Sequence, residues 1–438
     1  MASTYLSRTM GTPTSRKKFT ISVWVKKSKS GSSNAQHIWN GYYSTDNRLV
    51  IYFQASGEDT LGLYNVTGGS ATAFILTNRK FRDTNGWYHI YYAVDTTQST
   101  ASDRIKLYIN GVQETSLAQN TYPSQNADLG YANGYTNFIG KYGGDTSSQF
   151  DGAMSHFYYV DGSVIDIAQF GSTDSTTGEW KINTSPTISS YGTNGFLILK
   201  DGNTITDQSP NSNNFTVGAG TLTKTEDNPS NVFATLNPLD NYFAASTFSN
   251  GNNTITSGTT PNTWNTATLG VSSGKWYWET ELDAESSGGS ALFGIADRPT
   301  DSATRELGDL ATTYAYLSSG NFRTNNSNTS NGVSATVGDI IGIALDLDNN
   351  QISYYKNGTI IGSAQSITAP SSTLNGVYFP AWGDWLDPGT VTFKCNFGNG
   401  YFGTTAVSSA GTNASNNGIF EYDVPSGYTA LSTKGLNL

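Results

Sequence analysis

Cysteine is nearly absent from this chain of 438 residues, which carries only Cys395. A lone thiol excludes an internal disulfide framework and any cysteine-rich zinc module. Within VTFKCNF it alternates with Val391 and Phe393, which predicts a buried core thiol rather than a reactive one. Histidine is also scarce, limited to His37, His89 and His156. No His/Asp/Ser arrangement and no helical His-x-x-x-His pair can be drawn from these three. His89 and His156 sit in alternating apolar stretches and read as satisfied strand residues. Charge is sparse too, at 13% of residues, and sums to −10 with a pI near 4.8. The chain therefore lacks the basic field that nucleic-acid binding needs. No run nears the ~20 apolar residues that span a bilayer, so no membrane insertion is expected. The opening MASTYLSRTMGTPTSRKKF has no apolar core between its charges, and no secretory signal is expected there. Gly57, Gly62, Gly68 and Gly69 lie in turn contexts with no strand-glycine-helix pattern, which leaves nucleotide binding unsupported.

What the chain has in quantity is glycine (47), tyrosine (26) and tryptophan (9), among abundant Ser, Thr and Asn. Such a composition suits many short strands joined by turns, and the length suits two domains. The clearest strands lie in GDIIGIALDLDNNQISYYKNGTIIG from Gly338. Ile341, Ile343, Leu345 and Leu347 share one face at period two, while Gly342 and Ala344 keep the other face small. Asn357-Gly358 is a type I′ hairpin signal, so three strands should run as an antiparallel meander. The first half echoes this pattern. There a strand ends at Asp95, and the next carries a Tyr shortly before Asn110-Gly111. Phe19, Ile21, Val23 and Val25 alternate with Thr20, Ser22, Trp24 and Lys26 as a further strand.

These motifs carry two resemblances. FTISVWVK at Phe19, GWYHIYYAVD at Gly86, IKLYINGV at Ile105 and FDGAMSHFYYVDG at Phe150 resemble a laminin G-like domain. SGKWYWETELD at Ser273, ALFGIADRP at Ala291, the meander, and YFPAWGDW with VTFKCNFG resemble a SPRY domain. Both families belong to the concanavalin A-like superfamily. The implied fold is all-β, with two tandem concanavalin A-like jelly-roll sandwiches. The expected boundaries are a laminin G-like sandwich over 1–220, a packed connector over 221–244 and a SPRY-like sandwich with its tail over 245–438.

Glu281-Leu282-Asp283-Ala284-Glu285 resembles the catalytic strand of family 16 glycoside hydrolases, where the two Glu residues do the chemistry. Retaining hydrolysis needs two carboxyls about 5–5.5 Å apart, which i and i+4 on one strand face can supply. SPRY domains give this strand no catalytic task, and the preferred reading assigns Glu281, Asp283 and Glu285 none. Sugar binding asks for aromatic faces beside amides and carboxylates. Three clusters offer these. They are Trp382, Asp384, Trp385 and Asp387; Tyr314, Tyr316, Phe322, Arg323 and Asn325; and Trp39, Tyr42, Tyr43, Asp46 and Arg48. The competing reading of each is packing beneath a long loop. The SPRY resemblance implies loop-borne recognition, often of protein. No cofactor is expected, although the laminin G-like resemblance is compatible with calcium held by loop oxygens, with Asp145 and Asp151 as candidate ligands.

MASTYLSRT, DNPSNVFATLNPLDN and FEYDVPSGYTALSTKGLN resemble segments of tailed-bacteriophage virion proteins, particularly marine ones. That resemblance implies a non-enzymatic virion-surface protein: a fibre, tip or head-decoration component that recognises host-surface glycan. It would be made in the host cytoplasm and released by lysis. Its partners would be other virion proteins and a host glycan or protein, with a homo-oligomer such as a trimer compatible. The alternatives are a purely structural decoration of capsid or tail, and a glycoside hydrolase built on Glu281 and Glu285.

Overall fold

The computed structural model describes residues 4–129, 132–200, 204–258, 263–286, 290–385 and 389–437. Among these the regular elements are β-strands and short 3-10 turns, with no α-helix. The chain divides into two compact units, Met1–Lys224 and Thr225–Leu438.

In the first unit an eight-stranded antiparallel sheet runs in the order Leu117–Thr121, Ser70–Lys80, Thr60–Thr67, Asn47–Phe53, Gln36–Ser44, Thr136–Ile139, Tyr5–Thr9, Thr216–Ala219. A six-stranded sheet faces it, with Gly152–Asp161, Lys18–Lys27 and Tyr88–Asp95 at its centre. Phe19, Ile21, Val23 and Val25 enter the core between the sheets against Trp39, Leu49, Ile51 and Leu63. On the other face of that strand Thr20, Ser22 and Trp24 are buried as well. The hairpin of Gly171–Thr173 and Trp180–Ile182 accounts for part of this. Trp180 donates its indole N–H to His89 Nδ1 at 3.0 Å, and His89 stacks on Trp24. His89 Nε2 lies 2.8 Å from Ser22 Oγ, and burial pushes the imidazole down to about 3. It is the satisfied strand histidine that its context predicts.

In the second unit the Lys275–Glu285 strand lies between Ile340–Asp346 and Val391–Asn396, and the facing sheet centres on Ala291–Ala296 and Phe379–Asp384. The meander forms as its residues dictate. Ile341, Ile343 and Leu345 are wholly buried, and Asn357 and Gly358 take φ of 48° and 78°. Both turn residues are left-handed, as a type I′ turn requires. The small face is buried too: the Tyr277 ring lies over Gly342, and Ala344 packs with Phe420, Val424 and Ala430 of the tail. Phe233 joins that layer, and Leu236 enters the core between the sheets, so residues after Thr225 belong to this unit's packing. Cys395 is wholly buried, and desolvation pushes its thiol far above the ordinary range.

Candidate functional site

The outer face of the eight-stranded sheet is the most developed surface in the first unit. Strand register sets it. Phe138, Asn40, Val50, Tyr64 and Phe74 are paired in succession across five strands. On the same face, two residues along, Tyr42 pairs with Arg48; two residues the other way stands Tyr52, paired with His37. The inner face of these strands carries Trp39, Leu49, Ile51, Leu63 and Ile75, all core. A sheet that buries one face needs no aromatic residues on the other to fold.

A loop then closes over part of this face. Asn40 donates to the Lys141 carbonyl and accepts from Gly143 N at 3.2 Å, anchoring residues 141–143. A Cβ on Gly143 would sit 2.4 Å from Tyr42 Cγ, so only glycine lets the loop approach this closely. Tyr142 is thereby stacked on His37, with centroids 4.8 Å apart, and His37 stacks on Tyr52 at 5.2 Å. The Arg48 guanidinium is flanked by two rings, 5.5 Å from the Tyr64 centroid and 6.0 Å from that of Tyr142. Burial pushes His37 down to about 4, so it is neutral at neutral pH, with the charges of Asp145 and Arg48 acting on it in opposite senses.

This arrangement redistributes the expected first-half cluster. Trp39 is wholly buried in the core and presents no face to a ligand. Tyr43 leaves the Tyr42 face, stands 66% exposed and stacks on Tyr135 at 5.3 Å. Tyr42 and Arg48 remain together. Tyr64, Phe74 and Tyr142 join them from elsewhere in the chain. The signal for Tyr64 lay in the alternation of LGLY from Leu61, whereas that for Tyr142 lay only in the glycine-rich GKYGGD context.

In the second unit the two expected clusters are largely core. Trp382, Tyr314 and Tyr316 belong to the central hydrophobic cluster, with Trp382 1% exposed in the Phe379–Asp384 strand rather than in a loop. Asp384 is buried and accepts from Ser257 Oγ at 2.9 Å, so its oxygens are committed internally. Asp387 lies outside the described residues. Arg323 and Trp385 do meet, with the guanidinium 4.8 Å from the indole centroid. Arg323 is itself buried, holding Asp309 at 2.6 Å and Glu306 at 3.1 Å. It works as an internal tie for the 306–309 loop.

Two family matches bear on this geometry. The concanavalin A-like lectin/glucanases superfamily, in its laminin G form, matches residues 2–164. The SPRY domain matches residues 275–398. The chain is a laminin G-like domain followed by a SPRY domain. Among solved structures, it is similar to the SPRY domain of human HERC1, at 19% identity over 36% of this chain and 96% of that one, with a TM-score of 0.29. A SAP-like pentraxin from Limulus polyphemus shows 15% identity over 50% of this chain and 89% of that one, with a TM-score of 0.29. Domain 4 of the arabinanase AbnA from Geobacillus stearothermophilus, solved with arabinotriose, shows 16% identity over 36% and 64%, with a TM-score of 0.26. None of these likenesses is close enough to speak to ligand or activity. No curated protein sequence matches the chain significantly.

The carboxylates of the SPRY strand do not form one face. A β-bulge falls between Leu282 and Ala284, so Glu281 pairs with Lys394 while Glu285 pairs with Val391, three residues away. That odd step puts Glu281 and Glu285 on opposite sides of the sheet. Glu281 and Asp283 approach Lys394, at 3.8 Å and 2.5 Å. Glu285 instead accepts from Ser318 Oγ at 2.6 Å and Ala291 N at 2.9 Å, tying the two sheets. The pair has no retaining geometry.

Glu279, on the same strand, is wholly buried and serves as the dock for the tail. It accepts from Glu421 N at 2.8 Å, Tyr422 N at 2.9 Å and Tyr277 O–H at 3.1 Å. Burial pushes its carboxyl up to about 7, against the opposing pull of these donors. The folded SPRY domain therefore holds this proton where the unfolded chain has released it. Glu279's contribution to stability is full below its ordinary range and is lost as pH rises through about 7. Thermal unfolding of wild type and Glu279→Gln at several pH values checks this. The difference between them should shift in favour of Gln from pH ~5 to ~8. A constant difference assigns the titration elsewhere.

Asp145 accepts from Ser147 N, Ser148 N and Ser148 Oγ at 2.7–2.9 Å, closing its own turn. Asp151 is half-buried, and desolvation raises its carboxyl. Among the described residues no three His, Cys, Asp or Glu side chains gather as metal ligands.

Proposed function

We propose that this chain is a non-enzymatic adhesion protein that binds a surface glycan through the outer face of its laminin G-like sheet. The single observation carrying the reading is the group of rings on a sheet face that one loop covers only in part. Tyr42, Tyr64, Phe74 and Tyr142 are all half-buried there, against a fully buried inner face. Ring faces stack on the apolar side of a pyranose, and the neighbouring phenol hydroxyls can take its hydroxyls. The opposed placement of Glu281 and Glu285 supports binding without cleavage. A virion-surface location rests on the resemblance of the three segments quoted above to tailed-phage proteins. Docking onto other virion components has its own support in Leu239 and Tyr242, 64% and 89% exposed in one short loop of the SPRY unit.

The test is binding of the purified full chain to a panel of bacterial surface polysaccharides, with new reducing ends assayed in the same tubes. The expected result is saturable binding without new ends. Tyr142→Ala should weaken it about tenfold, the scale of one lost aromatic contact. Absence of binding across the panel moves the function to structural decoration. New ends that persist in Glu281→Gln point to an enzyme built on other residues.

A further inference from the structure

We infer that the glycan taken by this face is acidic, with a carboxylate or sulfate group engaged by Arg48. The inference rests on the glycan reading and adds the charge class of the ligand.

Arg48 stands apart from the other arginines of the chain. Arg8, Arg16, Arg79, Arg82, Arg104, Arg298, Arg305 and Arg323 each hydrogen-bond or ion-pair with a protein oxygen. Arg48 has no such partner among the described residues, and its contacts are the two flanking rings. Asp145, whose charge also reaches His37 and Tyr142, makes no ion pair with Arg48, and its oxygens accept from the donors of its own turn. Lys141, beside Tyr142, likewise lies over rings, those of Tyr5 and Phe138, with no carboxylate partner among the described residues. Arg48 and Lys141 thus set two cations, neither ion-paired among the described residues, on one aromatic face in a chain of net charge −10.

Desolvation decides the sign. A neutral sugar seated on Tyr64 and Tyr142 would strip water from an unpaired guanidinium and return only hydroxyl contacts. Taking a charge out of water without a counter-charge is costly. An anionic group in the same place completes the fork with two charge-assisted hydrogen bonds. The rest of the negative surface matters little at physiological salt, where fields fade over about 8 Å.

The experiment pairs acidic polymers with neutral counterparts at physiological salt: polygalacturonate with galactan, and dextran sulfate with dextran. The full chain, Arg48→Gln, Arg48→Lys and Tyr142→Ala are compared. Wild type should prefer at least one acidic polymer, and which one identifies the anion as carboxylate or sulfate. Arg48→Gln should lose that binding by about 10- to 100-fold, the worth of a hydrogen bond to a charged group. Arg48→Lys should recover only part of it. Equal or tighter binding to the neutral partners overturns the inference, as does acidic binding that Arg48→Gln leaves unchanged. In both cases a loss in Tyr142→Ala keeps the glycan reading alive. No binding to any polymer here or in the wider panel overturns both.

Discussion

Lys27→Met should destabilise the laminin G-like unit by about 3–5 kcal/mol, the usual cost of leaving a buried charge without its partner. Lys27 ends a core strand and is wholly buried. Its ammonium donates to Asp59 Oδ1 at 2.7 Å and the Phe81 carbonyl at 2.9 Å, and lies 4.5 Å from the Phe53 centroid. Asp59 is 1% exposed and also accepts from Ser30 Oγ at 2.7 Å and Gly31 N at 3.0 Å. Burial pushes the Asp59 carboxyl up, but Lys27 and these donors hold it below its ordinary value. Methionine matches the lysine stem and removes the charge together with the hydrogen bonds to Asp59 and the Phe81 carbonyl. Against a typical domain stability of about 5–15 kcal/mol the loss is large. Denaturant unfolding measures it, and adding Asp59→Asn should restore part of the loss. Asparagine also tolerates the φ of 51° found there. A single variant as stable as wild type would mean that Arg82, whose Nε lies 3.9 Å from Asp59 Oδ2, takes over the carboxylate.

Trp382→Ala should cost the SPRY unit about 3–5 kcal/mol, as removal of a large core side chain does. The indole stands edge-on to Phe397, with centroids 5.7 Å apart, and donates to Thr280 Oγ1 at 3.1 Å. Its strand neighbours on either side are Asn265 and Phe293. Truncation opens a cavity and strips a buried hydroxyl of its donor. The sequence places Trp382 and Trp385 together in one candidate sugar-binding cluster. The structure separates them. Trp385 is half-buried beside Arg323, so Trp385→Ala should be far milder. Thermal unfolding of the two variants in parallel makes the comparison. Equal, small shifts in both would contradict the core placement of Trp382.

How much was legible before the fold depended on the kind of signal. The meander was readable because period two, the small residues Gly342 and Ala344, and the Asn357-Gly358 turn all point the same way. Clusters read along the chain fared worse, because neighbours on a strand face opposite ways. Trp39 and Tyr42 are close in sequence but stand on opposite faces of the sheet. The partners that matter to Arg48, namely Tyr64 and Tyr142, arrive through register and a folded-back loop, which no local pattern encodes. The Glu281–Glu285 stretch shows the reverse failure. Its alternation looks unbroken, and only pairing with Val391–Asn396 reveals the bulge that splits it.

The most direct test of the central claim is hydrogen-exchange footprinting of the full chain with and without a saturating surface polysaccharide. The account predicts new protection in 47–67 and 141–149, the segments that carry Arg48, Tyr64 and Tyr142. Protection confined to the SPRY unit, around the 306–309 loop and Trp385, would contradict it and move the binding face to the second domain.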